Sequence, residues 1–270
     1  MAAENFPVAL RLLPGAVRDD LARVYAFARF VDDVGDEADG GPQLRLTLLD
    51  EVAEQVRALP GGVVDLTPVA GLRSVIVGRA VPLQPFLDLI EANRQDQVVS
   101  SYETFDDLLG YCRLSAAPVG QIVLHVAGAA DAANVADSDA VCAGLQVLEH
   151  CQDVGEDARA GRVYLPAADL RAAGVDPEVL TGTVTPAALR TVVARQVARS
   201  RELLAAGRPL VARLHGWARV AVAGYIAGGL ATADALDRAQ HGVLEQAVRP
   251  SKPRTAAHAL RQLTPTGAGR

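Results

Sequence analysis

Along this chain, apolar runs with helical spacing alternate with short steps rich in proline and glycine. The pattern predicts a first long helix from about Pro14 to Glu37, closed by Gly40-Gly41-Pro42, and a second from about Gln43 to Leu59, stopped by Pro60-Gly61-Gly62. Thr67-Pro68 has the form of an N-cap followed by the first helical residue and predicts a helix to about Arg79. Pro85 opens the next, through Phe86, Leu89 and Ile90 to Val99. Thr104 caps another, with Asp106 and Asp107 in a first turn that favours negative charge. That helix carries Leu108, Leu109, Tyr111, Cys112 and Leu114 and should kink at Pro118, where a backbone hydrogen bond is lost. Ser138 opens a helix closed by Gly161, Thr185-Pro186 opens one to Gly207, and a last long helix covers about Pro209 to Gln240. No strand-like alternation persists and no internal repeat is present. Residues 1–248 therefore read as one all-α domain. The segment 249–270, with Pro250, Pro253, Pro265 and five basic residues, reads as a loosely attached tail.

Two of these apolar helices run into acid. Val24–Val31 leads into Asp32-Asp33-Val34-Gly35-Asp36-Glu37, and Leu145–Leu148 leads towards Gln152-Asp153-Val154-Gly155-Glu156-Asp157. Residues four apart share a helix face, so Asp32 pairs with Asp36, Asp33 with Glu37 and Asp153 with Asp157. Like charges at that spacing cost roughly 0.2–0.5 kcal/mol per pair unless a cation lies between them. Each cluster alone also fits a solvated helix end. Together, each entered through an apolar stripe, they point to paired sites for a hard divalent cation holding a diphosphate. Arg162, just past the second cluster, fits either compensation of a helix C-terminus or bidentate pairing with phosphate.

Composition narrows the picture. Half of the 270 residues are hydrophobic but only 4% are aromatic, so Ala, Val and Leu must fill a helical core. A net charge of −6 argues against nucleic-acid partners and gives no help with anionic lipid, leaving at most peripheral membrane contact. The three cysteines, Cys112, Cys142 and Cys151, show no metal-like spacing and read as reduced thiols of a cytoplasmic protein. No secretory pattern opens the chain, and the longest uncharged apolar stretch, Val220–Ala233, is too short to span a bilayer. Tyr111 and Tyr225 fit core aromatics, or the wall of a cavity in which a carbocation develops. The run 221–233 (AVAGYIAGGLATA) fits close helix packing, or space left for a hydrocarbon chain. The Glu-x-x-His pairs of di-iron bundles, EF-hand loops, P-loops and dinucleotide fingerprints do not occur.

The stretch Tyr25–Glu37 resembles the first aspartate motif of squalene and phytoene synthases. Gln152–Asp157 followed by Gly161-Arg162-Val163-Tyr164-Leu165-Pro166 resembles their second motif, and Tyr111-Cys112 with Val119-Gly120 their intervening helix. The resemblance covers about residues 4 to 250. It implies the single-domain all-α isoprenoid synthase bundle with a central apolar cavity. Among the departures, Ser115-Ala116-Ala117-Pro118 replaces the usual V-A-G-x, Gln152 replaces an arginine and Glu149 an asparagine. Together with 3–8 and 91–97, these look most like the bacterial hopanoid-pathway branch, which contains hydroxysqualene synthases.

What the resemblance implies can be put residue by residue. Asp32, Asp33, Asp36, Glu37, Asp153, Glu156 and Asp157 are the metal ligands, for Mg²⁺ or, in its place, Mn²⁺. Asn5, Phe6, Arg29, Asn93, Gln152, Arg162 and Tyr225 contact substrate, and Tyr111 and Arg162 act in catalysis. The substrate is a prenyl diphosphate, presqualene or farnesyl diphosphate. No NADPH is expected, and partners extend at most to transient contact with sister pathway enzymes or a membrane surface. The implied reaction is conversion of presqualene diphosphate to hydroxysqualene. The alternatives are head-to-head condensation of two prenyl diphosphates, or a non-catalytic prenyl-lipid-binding homologue.

Overall fold

The computed structural model describes residues 13–264, and all of its regular structure is helical. In chain order the helices are α1 (Gly15–Asp36), α2 (Gly41–Ala58), α3 (Thr67–Ala70), α4 (Arg73–Ile76), α5 (Gln84–Gln95), α6 (Phe105–Ser115) and α7 (Ala117–Val126). They continue with α8 (Ala132–Gln152), α9 (Val154–Arg159), α10 (Ala167–Ala172), a 3-10 turn over Pro177–Thr181, α11 (Ala187–Ala206), α12 (Pro209–Arg213), α13 (Gly216–Arg238) and α14 (Lys252–Leu263). Among the described residues no helix is long and apolar enough to cross a membrane. The chain forms two compact units, one of residues 13–99 and 113–135, the other of 100–112 and 136–264.

In the first unit α1 is the central element. Val17, Leu21, Val24, Phe27 and Val31, spaced four, three, three and four apart, form its buried stripe. They pack against α2, α5 and α7, with Phe27 edge-on to Phe86 at 5.7 Å. The helix expected over 67–79 is instead two single turns, α3 and α4. The chain tightens at Leu72, whose N–H donates to the carbonyl of Val69, three residues back, rather than to that of Pro68. The second turn is held by a tertiary anchor. Buried Asp20 of α1 accepts from the Ser74 hydroxyl at 3.0 Å and the Arg79 Nε at 2.8 Å. The expected kink at Pro118 is a full break at Ala116, after which α7 restarts with Pro118 in its first turn.

In the second unit Thr104 caps α6 as its sequence predicts. The Asp107 N–H donates to the Thr104 hydroxyl at 3.2 Å, and Asp107 Oδ2 accepts from the Thr104 N–H at 2.9 Å. Helix α8 begins six residues before the expected Ser138, because Asp131 caps it by accepting from the Asn134 N–H. Gly229 of α13 sets the approach of three helices: a Cβ there would lie 2.8 Å from Leu145 of α8 and 2.9 Å from Leu204 of α11. The small-residue run thus serves packing at Gly229, whereas at Gly224 and Gly228 an added Cβ meets nothing within 4 Å. The single helix expected over 209–240 is broken at Leu214 and His215, both extended, with Gly216 at φ +53°. This break lets Leu214 bury its side chain almost completely.

The tail needs correction. Within the segment read as loosely attached, Lys252–Leu263 is a helix packed along α13. His258 Nε2 lies 2.8 Å from Asp234 Oδ2, and Arg219 donates to the carbonyl of Leu263 at 3.1 Å. None of the residues of α14 is fully buried, and these polar contacts tie it to α13.

Before it, the loop after α13 is pinned by Glu245. Its carboxylate accepts from the Thr185 hydroxyl (2.6 Å) and N–H (3.0 Å) and pairs with Arg190 (2.6 Å). The Thr185 hydrogen bonds, hydroxyl first, pull the Glu245 pKa from 4.5 down to about 2. A carboxyl depressed in the folded state adds stability above its unfolded pKa, and this is lost as pH falls towards its folded pKa. Glu245→Gln should therefore lower the urea midpoint at pH 7, with the gap to wild type closing between pH 4.5 and about pH 2. Urea melts across that range check it; a gap that stays constant with pH refutes it.

Candidate active site

The first acidic group lies on the last turn of α1, with Glu37 as its C-cap residue. Asp32 and Asp36 are exposed one turn apart, as the helical spacing requires. Arg29 lies along the same helix, with its Nε 2.9 Å from Asp33 Oδ1 and its guanidinium 3.7 Å from Glu37 Oε1. Asp33 and Glu37 are thereby charge-compensated from within the helix. From α5, buried Asn93 donates to Asp32 Oδ1 at 3.0 Å. Gln97 donates to the Gly35 carbonyl at 3.0 Å, tying the end of α5 to the end of α1. Gly35 is what admits Asn93: a Cβ there would sit 2.3 Å from Asn93 Oδ1. Asn93 and Gln97 both fall in the family-like stretch 91–97, but the bond from Gln97 to Gly35 depends on helix pairing and no local pattern marks it.

The second acidic group does not lie on one continuous helix, as the sequence led us to expect. The helix stops at Gln152, Asp153 takes φ −102° and ψ 12°, and α9 restarts at Val154. The Asp157 N–H still donates to the Asp153 carbonyl at 2.8 Å, which preserves the one-turn relation of the two residues. Asp153 is half-buried, and its carboxyl is pushed above the ordinary aspartate range, first by burial and then by the charges of Asp157 and Glu156. Three carboxylates thus crowd one short turn, with Glu156 exposed and Asp157 half-buried. After α9 the Arg162 N–H donates to the Asp157 carbonyl at 2.9 Å, placing the arginine's backbone on the same turn.

An aromatic wall stands beside this group. The Val163 N–H donates to the carbonyl of Ser100, and the Ala167 N–H to that of Tyr102, so the segment 163–167 runs alongside 100–103. This brings Tyr102 and Tyr164 face to face at 5.9 Å, with Tyr111 of α6 at 5.4 and 5.5 Å from them. His150 completes the cluster, stacked on Tyr164 at 3.7 Å. All four are buried. Tyr111 thus lies in a buried aromatic cluster, which fits both a core aromatic and a wall able to face positive charge. Tyr102 and His150 were not foreseen. The i, i+4 pair Gln146 and His150 on the approach to Asp153 was the available signal for the histidine; nothing local marked Tyr102.

The other candidates lie elsewhere. Gln152 donates its side-chain amide to the carbonyl of Val248. Tyr225 of α13 is part-buried, its hydroxyl pushed up to about 12 by burial and secondarily by the neighbouring Cys142. Asn5 and Phe6 fall outside the described residues. Of the cysteines, Cys151 is fully buried and its pKa is raised to about 12, a packing residue rather than a nucleophile.

Among the described residues no three His, Cys, Asp or Glu side chains converge as a ready-made cage. Magnesium takes one or two carboxylates and completes its shell with water and substrate phosphate oxygens. Oxygen-only pairs such as Asp32 with Asp36, and Asp153 with Asp157, fit that requirement.

An all-α fold with aspartate-rich turns at two helix ends and tyrosines beside one of them defines the class of helical isoprenoid synthases. Residues 2–255 match the model of squalene/phytoene synthases. The chain is 38% identical over 216 residues to a hydroxysqualene synthase of Rhodopseudomonas palustris, covering 78% of this chain and 71% of the relative. A hydroxysqualene synthase of Sinorhizobium fredii is 35% identical over 212 residues, with the same coverage. The crystal structure of the squalene synthase HpnC from Alicyclobacillus acidocaldarius superposes with a TM-score of 0.82 at 36% identity, over 88% of this chain and 89% of that one. The chain belongs to the squalene/phytoene synthase family, and is an enzyme of the hydroxysqualene synthase-like type.

Proposed function

We propose that this enzyme converts presqualene diphosphate and water to hydroxysqualene and diphosphate. Asp32 with Asp36, and Asp153 with Asp157, would each hold Mg²⁺ for the diphosphate, with Asp33 and Glu37 beside the first pair and Glu156 beside the second. Bound Mg²⁺ would neutralise charge on the departing diphosphate. Arg162 adds a guanidinium suited to two parallel hydrogen bonds with phosphate. The C–O bond breaks with its electron pair leaving on diphosphate, and the resulting cyclopropylcarbinyl cation rearranges. A water oxygen then forms the new C–O bond and loses a proton. Tyr111, in its aromatic cluster, offers ring faces to the cation and helps keep other water away. Asn93 orients Asp32, while Arg29 tempers Asp33 and Glu37.

The observation that carries this reading is the crowding of Asp153, Glu156 and Asp157 on one turn, with Asp153 held half-buried against its own charge. A turn that only faced water would not hold a carboxylate in so unfavourable a place. The choice of substrate rests on the two hydroxysqualene synthases. Similarity to the squalene synthase of Alicyclobacillus acidocaldarius supports a second reading, head-to-head condensation of two farnesyl diphosphates.

The test is a product assay on the purified protein with Mg²⁺ and presqualene diphosphate, without NADPH. Hydroxysqualene in the extracted layer is the expected outcome. Presqualene diphosphate or a C30 or C40 hydrocarbon formed from prenyl diphosphates in a parallel tube favours condensation, and no product in either tube sinks both readings.

A further inference from the structure

His150 belongs to none of the roles assigned above, yet each edge of its ring has a defined neighbour. It is the third-last residue of α8, buried, and stacked on Tyr164 with centroids 3.7 Å apart and planes 12° from parallel. Its Nε2 lies 3.4 Å from the Gln146 amide nitrogen, one turn back on the same helix. Its Nδ1 lies 3.8 Å from Asp157 Oδ2, across the break at Asp153. An amide nitrogen can only donate, so the ring nitrogen facing Gln146 is the one with the lone pair. The opposite ring nitrogen, Nδ1, is the one that faces Asp157. Stacking on Tyr164 sets the plane of the ring, with its Nδ1 edge towards Asp157 and near enough to Asp153 to act on that carboxyl too.

We infer that His150 is a positioning residue for Asp157, holding that carboxylate in register with the aromatic wall. The inference rests on the reading of Asp157 as a magnesium ligand. A distance of 3.8 Å is outside hydrogen-bond range but within electrostatic reach of the N–H edge. Metal-binding carboxylates are oriented by hydrogen-bonded outer partners, whose loss typically costs about 10- to 100-fold in metal affinity, and His150 would be such a partner if this contact closes when the metal is held. The break at Asp153 gives the contact its purpose. Across that break, a side-chain strut from α8 would restrain the swing of Asp157 on α9.

Two substitutions separate the donor from the ring. His150→Phe keeps a flat ring for Tyr164 and removes the N–H; His150→Asn keeps a donor near the Nδ1 position and removes the ring. The readout is the Mg²⁺ concentration giving half-maximal thermal stabilisation at a fixed, saturating concentration of inorganic diphosphate, which needs no turnover. His150→Phe should raise this midpoint by about 10- to 100-fold, and His150→Asn should stay near wild type. A wild-type midpoint in His150→Phe, or an equal shift in both variants, overturns the inference. Should His150→Phe fail to fold, Gln146→Met reads the same contact by freeing the tautomer, and an unmoved midpoint there overturns it as well. A wild-type protein that gives no Mg²⁺-dependent stabilisation with diphosphate, or an Asp157→Asn variant that responds normally, removes the reading of Asp157 itself and the inference with it.

Discussion

Asp153→Asn should make the protein more stable and nearly inactive. The carboxylate is half-buried, and burial together with Asp157 and Glu156 opposes its charge in the folded state. Asparagine is the same shape without the charge, so the desolvation cost and the repulsion both disappear. In buffer without divalent cations the thermal midpoint of the variant should therefore lie above that of wild type. Addition of Mg²⁺ and diphosphate should then stabilise wild type strongly and the variant hardly at all. Loss of one group that stabilises developing charge usually costs about 10²- to 10³-fold in turnover, and product formation should fall by that much. Stability given up for function is the signature of a site held in strain. Two measurements settle it: melting curves with and without Mg²⁺ and diphosphate, and initial rates of product formation. A variant that is less stable without cation, or one that keeps wild-type turnover, defeats the assignment of Asp153.

Gly35→Ala should damage both fold and activity, through a contact that is not itself chemical. The added methyl would sit 2.3 Å from Asn93 Oδ1 and 3.1 Å from its Cγ, and Asn93 is buried with little room to retreat. Overpacking of this kind typically costs about 1–3 kcal/mol. As Asn93 moves, Asp32 loses the amide that donates to its Oδ1, and the Mg²⁺ requirement of the reaction should rise by about 10-fold or more. The decisive comparison is a double-mutant cycle with Asn93→Ala. Each single variant should be impaired, but with the asparagine already shortened the methyl at position 35 has nothing to strike, so the second substitution should add little. Strictly additive losses in melting temperature would show that Gly35 matters for some reason other than Asn93.

Much of the chemistry was legible without coordinates because it is local. The acidic turns are contiguous in the chain, and helical periodicity alone pairs Asp32 with Asp36. The capping of α6 by Thr104 and the opening of α11 after Pro186 follow from single residues with strong positional preference. The helix breaks share one physical feature. Wherever a helix was expected to run on but breaks, at Leu72, Asp153 or Leu214, no proline or run of glycines marked the place. The break accompanies a contact made by a distant or buried group: Asp20 gripping Ser74 and Arg79, or Leu214 entering the core. Helix α14 was missed for the converse reason, since its docking partners lie on another element and none of its own residues is fully buried.

By itself, then, the sequence determined the helical class, the family likeness and the two carboxylate groups, because periodicity, caps and contiguous motifs are properties of neighbours along the chain. Only the tertiary structure decided that Asn93 orients Asp32, that Gly35 makes room for it, and that Tyr102, Tyr111, Tyr164 and His150 form one wall beside Asp157. Those side chains come from separate elements, and their distances depend on how helices pack rather than on how residues succeed one another. Close packing turns remote positions into neighbours, and no local rule of propensity carries that information.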